Sequence, residues 1–183
     1  MPRDRGRRRG IRRKLYRFFS HPAVHDTLGL FLMAGFFYFL IAGALTLALG
    51  TTSFWMAVTS NSMRHVDEGW RNAYTSRGYD TSGFPLQGGF ERGDLLIVQG
   101  VRRASEISVG DVVIVDIGKG EIPLVHRVFE VWEENGELRF RTRGDANFAS
   151  LPSEMSIAPE RIMGRVVFVI PKVGHIFLLV QGR

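Results

Sequence analysis

The chain has 183 residues, 45% of them hydrophobic, a length that suits one membrane segment and one modest domain with a single core. It contains no cysteine, which excludes disulfides, thiol nucleophiles and cysteine metal sites. The formal net charge of +6 is unevenly placed: residues 1–17 hold nine of the 24 Lys and Arg and one of the 18 acids, so that segment is +8 and the remainder −2.

In other settings such a basic run binds nucleic acid or anionic lipid. Here it precedes an apolar segment, which is the positive-inside signature, so residues 1–26 read as a cytoplasmic tail and no nucleic-acid partner is expected. Residues 27–50, from Thr27 to Gly50, carry no charge. As a helix they reach about 36 Å, enough to cross a hydrocarbon core of about 30 Å with some tilt. The apolar region of a cleaved signal peptide is shorter, about 7–15 residues. The expectation is a single transmembrane helix in the cell membrane, with residues 51–183 forming an extracytoplasmic domain. His21 and His25 have a helical i, i+4 spacing but no accompanying Glu, so no metal or cofactor is expected.

Beyond the membrane, Phe54 to Val58 reads as a short strand leading to Ser60 and Ser62. Residues 64–92 form a long polar stretch in which Trp70, Tyr74, Tyr79 and Phe84 are dispersed, either an insertion packed on the domain or a lid over substrate. Gly93-Asp94 and Gly110-Asp111 each precede an apolar run, a pattern in which Asp serves a turn rather than a reaction. A hairpin over 124–144, a Pro- and Ser-containing connection over 148–160 and a strand near 163–170 follow. His175 to Val180 is apolar but too short to span, and contact with the membrane interface is left open. Strands dominate after residue 54, so the expected class is mainly β: a compact, partly closed, barrel-like domain behind one helix.

Ser62 has no nucleophilic power until a base takes its proton. The candidate base is His126, and the hairpin gives it a partner. Asn135-Gly136 favours a two-residue type I′ turn. If Glu134 faces Glu137, paired residue numbers sum to 271, and His126 falls opposite Asp145 with Cβ atoms about 4.5–5.5 Å apart. Asp145 could then hold the imidazole in the right tautomer and stabilise the imidazolium. A bulge between the turn and His126 would shift this match. Alone, a His–Asp pair on a sheet face is only a cross-strand polar contact; Ser62 makes it a candidate site. His65 lies so close to Ser62 in the chain that productive base geometry is hard to arrange.

The ordered set Ser60-Asn61-Ser62-Met63, Gly93-Asp94, Gly110-Asp111, His126-Arg127-Val128, Thr142 to Asn147 and Gly164-Arg165-Val166-Val167 resembles type I signal peptidases of the archaeal and endoplasmic-reticulum kind, over about half the chain. The resemblance implies Ser62 as nucleophile, His126 as general base and then acid, and Asp145 as orienting carboxylate. It also implies an oxyanion hole from the Ser62 N–H and the Ser60 hydroxyl, which would share a side as alternate strand residues. The bacterial branch uses a lysine base, but neither Lys14, Lys119 nor Lys172 stands in that position. Two departures matter. Relatives carry a second Asp six residues beyond the first, where this chain has Leu151, and a proline shortly after the serine, where it has Arg64-His65. Either Asp145 alone supports His126, or Glu154 substitutes from a shifted loop, or the site works as a Ser–His dyad.

The implied function is a membrane-bound serine endopeptidase that removes signal peptides from secretory preproteins on the outer face of the membrane. Its partners are those preproteins and the lipid bilayer; accessory subunits are not specified by the sequence. A catalytically silent, membrane-tethered β domain that binds partner proteins, and a peptidase with one dedicated substrate, are the alternatives.

Overall fold

The structure, a computed structural model, describes residues 22–118 and 120–180. The basic run at 1–17 and His21 lie outside them. The chain divides into two compact units, Met1–Leu45 and Thr46–Arg183. Helix α1, Pro22–Leu49, has no buried residue and is long and apolar enough to cross a membrane. It ends at Gly50, whose φ of +66° suits the left-handed position that closes a helix.

The second unit is built on a six-stranded antiparallel sheet. Its strands are β1 (Trp55–Ala57), β2 (Leu95–Gln99), β3 (Val112–Val115), β4 (Leu124–Glu134), β5 (Glu137–Arg143) and β6 (Ile162–Ile170), in the spatial order β1-β2-β6-β3-β4-β5. The sheet is not closed. Among the described residues, β1 pairs only with β2, and the outer edge of β5 gains a single bridge, Phe140 to Ile157. β3 is buried at all four positions because alternate residues face opposite sides: Val112 and Ile114 enter one core cluster with Val58, Met63, Leu96 and Val98, while Val113 and Val115 enter another with Val128, Phe140 and Ile157.

The two Gly-Asp pairs serve turns. Gly93 and Gly110 have φ of +90° and +97°. Asp94 accepts hydrogen bonds from the Glu91 and Lys172 amides, and Asp111 from the Ser108 amide. Residues 64–92 pack on the domain through a short helix, α2 (Gly69–Thr75), that buries Trp70 and Tyr74. Tyr74 meets Phe84 and Phe129 edge-on, with ring centroids 5.2 and 5.3 Å apart.

The hairpin keeps the predicted register for five pairs and then departs from it. Asn135 and Gly136 both have positive φ, and the pairing runs from Glu134–Glu137 to Glu130–Arg141. Beyond a bulge at Phe129, Val128 pairs with Thr142 and Arg127 with Arg143. The bulge lets Val128 and Val131 both reach the second core cluster and sends Phe129 to Tyr74. The expected opposition of His126 and Asp145 is therefore lost: Asp145, two residues past Arg143, shares a side with Arg127 instead.

A last helix, α3 (Gly174–Val180), packs on β1, where Phe177 lies 4.4 Å from Trp55 between ring centroids. Trp55, Ile97 and Phe168 stand in one cross-strand row on the face away from Met56, Leu96 and Val169, which line the first core. With Ile176, Leu179 and Val180 on α3, Trp55 and Phe168 leave an exposed apolar surface.

Candidate active site

β1 ends at Ala57, and Ser62 lies in a turn over Asn61 to Arg64, closed by a bond from the Arg64 amide to Asn61 O of 3.1 Å. Ser60 and Ser62 thus do not lie on a strand, as the alternation argument supposed. Their hydroxyls nevertheless meet at 3.1 Å, because the turn is pinned on several sides. Asn61 Oδ1 accepts the Arg92 amide at 3.0 Å, Ser62 O accepts the Ala146 amide at 2.9 Å, and Met63 O accepts the Phe90 amide at 3.0 Å.

His126 sits on β4 opposite Val113 and is buried, with its Nε2 2.9 Å from Ser62 Oγ. Its Nδ1 contacts Glu154 Oε1. Glu154 closes a turn of 3₁₀ helix, Pro152–Glu154, and is itself buried. It also accepts the Thr142 hydroxyl on Oε1 at 2.7 Å and the Leu151 amide on Oε2 at 2.9 Å. Burial pushes this carboxyl up, but the hydrogen bond and charge of His126, with the Leu151 and Thr142 bonds, outweigh it and hold the group below the ordinary glutamate value.

These partners fix the protons. A carboxylate only accepts, so Nδ1 carries the imidazole proton and Nε2 is free to accept from Ser62. The Ser62 hydroxyl gives its one proton to His126, so Ser60 is the donor between the two serines. The Ser62 N–H donates to none of the described residues. A cleft of about 540 Å³ opens at Ser60, Ser62 and His126 and runs between β1 and residues 120–125, where the chain enters β4.

Asp145 does not reach His126. It receives Arg127 Nε at 3.1 Å and Nη2 at 2.8 Å, and His65 Nε2 at 2.7 Å. Arg127 is fully buried and also donates to Pro85 O and Gly110 O at 2.7 and 2.8 Å. Burial pushes Asp145 up, yet the hydrogen bonds and charges of His65 and Arg127 hold it below the ordinary aspartate value. The structure thus brings together Ser60, Ser62, His126 and Glu154, and places Asp145 and His65 in a second cluster behind them. No group of three or more metal-ligating side chains occurs among the described residues.

Over 101 aligned residues the chain is 31% identical to the signal peptidase complex catalytic subunit SEC11 of Colletotrichum graminicola and to that of Sclerotinia sclerotiorum, and 30% identical to that of Verticillium alfalfae. Over this stretch it is similar to the catalytic subunits of signal peptidase complexes. Each alignment covers 52% of this chain and 59% of the relative, so the chain spans under two thirds of the length of these signal peptidases. No protein-family model matches it.

Against the signal-peptidase pattern, Leu151 stands where a second Asp was expected, and its side chain is exposed. A carboxylate reaches His126 from Glu154 instead, three residues later and one methylene longer. Sequence reasoning did not find the Arg127–Asp145 pair, the His65–Asp145 contact or the Thr142 bond to Glu154. One signal was present for the last: Thr142 and Phe140 alternate on one side of β5, toward the second core cluster, which is the side His126 faces.

Proposed function

We propose that the chain is a membrane-bound serine endopeptidase that removes signal peptides from secretory preproteins. The observation that carries this reading is the line from Ser62 Oγ through His126 to the Glu154 carboxylate, in a chain related to signal peptidase catalytic subunits. Ser62 attacks the scissile carbonyl as His126 Nε2 takes its proton. Glu154 keeps the imidazole in the accepting tautomer and stabilises the imidazolium. The Ser62 N–H and the Ser60 hydroxyl are the donors for the developing oxyanion. His126 then protonates the leaving amine, and water releases the acyl group by the same steps in reverse.

The cleft along β1 suits an extended peptide: it is walled by Met56, Val58, Phe90 and Ile122, and β1 offers an edge unpaired among the described residues. Helix α1, with basic residues before it, supports an anchor whose N-terminus stays cytoplasmic, so that the β domain meets substrates on the outer face. A shared membrane surface supplies proximity between Ser62 and the scissile bond. The relatives are by name subunits of a complex; association of this chain with other subunits is the corresponding proposal.

Cleavage of a preprotein by detergent-solubilised wild type, Ser62→Ala, Glu154→Gln and Asp145→Asn proteins tests the reading. Cleavage by wild type that disappears in Ser62→Ala and falls steeply in Glu154→Gln supports it. No cleavage by folded wild type would favour the silent binding domain instead.

A further inference from the structure

Ser62 is held from behind by two loops. Residues 144–147 supply the Ala146 amide to Ser62 O, and residues 86–90 supply the Phe90 amide to Met63 O. One side chain ties both loops to the serine turn. His65 places Nε2 2.7 Å from Asp145 Oδ2 and Nδ1 3.0 Å from Gln87 O, and its ring stacks on Trp70 at 4.7 Å and 19°.

Both ring nitrogens face groups that accept. A backbone carbonyl has no proton to give, and Asp145 is already committed as a carboxylate to Arg127. Each nitrogen of His65 must therefore carry a proton, which makes the ring an imidazolium that donates in two directions. The charged groups around it are Asp145 beyond β5 and Arg127 on β4, with Arg64, Asp67 and Arg143 lining the same cleft. Gln87 is anchored in turn, since its side-chain amide donates to Thr81 O and Phe84 O at 2.7 and 2.8 Å.

We propose that His65 is a positioning residue for Ser62, a doubly donating clamp that fixes the serine turn between the Asp145 loop and the Gln87 loop. This rests on the reading of Ser62 as nucleophile. His65 touches neither Ser62 Oγ nor His126, so its effect is on where the nucleophile stands. A neutral ring can donate only once, leaving a lone pair against an oxygen and one loop released.

The test compares wild type with His65→Phe, which keeps a ring for Trp70 but loses both donors, and with His65→Arg, which can donate to both acceptors. His65→Phe should lower kcat on a model preprotein roughly ten- to hundredfold, because small displacements of a nucleophile are costly, with KM within about twofold. Hydrogen exchange at the Ala146 and Phe90 amides should accelerate while the β3 amides stay protected. His65→Arg should recover most of both. Unchanged kcat in His65→Phe, a change confined to KM, or unchanged exchange at those two amides would overturn the proposal. If His65→Phe does not fold, His65→Gln, which keeps one donor nitrogen where the imidazole has two, should show the same pattern at smaller amplitude. Failure of wild type to cleave counts against the peptidase reading alone, because the exchange measurement decides the clamp without turnover.

Discussion

Glu154 and Asp145 are both buried carboxylates within reach of a histidine, and their partners assign them different work. Glu154 faces three donors, one of them the imidazole that contacts Ser62. Replacing it by Gln should lower kcat by about 10²–10⁴-fold, through loss of the imidazolium's counter-charge and of the tautomer that leaves Nε2 free. Asp145 neutralises a fully buried guanidinium. Asp145→Asn should cost about 3–5 kcal/mol of stability in urea unfolding, since breaking a buried pair strands its partner. Reversed outcomes, with Glu154→Gln fully active and Asp145→Asn stable but dead, would restore Asp145 as the acid. Both carboxyls are held below their ordinary values, so the folded protein binds fewer protons than the unfolded chain. Their stabilisation is complete above the unfolded values near about 4 and is lost as pH falls through the folded ones. Thermal melts from pH 7 to 3 should drop on the acid side, less steeply in Glu154→Gln; a flat profile would mean that neither group is held as described.

At the scale of elements, the hairpin was readable because Asn135-Gly136 permits one kind of turn and the flanking apolar residues permit one register near it. The bulge was not readable. It arises from competition between two packing demands, Val128 and Val131 in one core cluster and Phe129 against Tyr74 of α2, and the second demand comes from a segment whose docking has no local sequence pattern. The same holds for Glu154, which reaches His126 only because a proline-led turn folds the 148–160 connection over β5. The turn around Ser62 depends on a further element contact at Gly144. A Cβ there would sit 2.8 Å from Ser62 O and 2.7 Å from Asn147 Nδ2, with backbone on one side. Gly144→Ala should therefore lower kcat by roughly tenfold or more through displacement of the serine turn. Wild-type turnover in that variant would show that the turn and the 144–147 loop are not coupled.

At the scale of the molecule, the β unit is apolar on two faces of the β1-β2-β6 region and covers only one of them fully. Trp55, Phe168, Ile176, Leu179 and Val180 remain in the open, and exposed apolar patches of this kind associate. A version lacking the helix at Pro22–Leu49 should still need detergent to stay monodisperse in size-exclusion chromatography, and a sharp monomer peak without detergent would contradict this. That the domain is mainly β and preceded by an apolar helix follows from charge distribution and strand character alone; how its faces are shared out does not, because alternation specifies two sides without saying what covers each. Trp70 stacks on His65, with the Arg71 and Arg127 guanidinium groups also over its ring, and this has an optical consequence. An imidazolium lying on an indole drains its excited state, so Trp70 should glow faintly while residues 64–92 are docked, against a steady background from Trp55 and Trp132. Brightening of the emission would then mark the moment when that segment lets go of the sheet, giving the protein a built-in lamp for its own loosening.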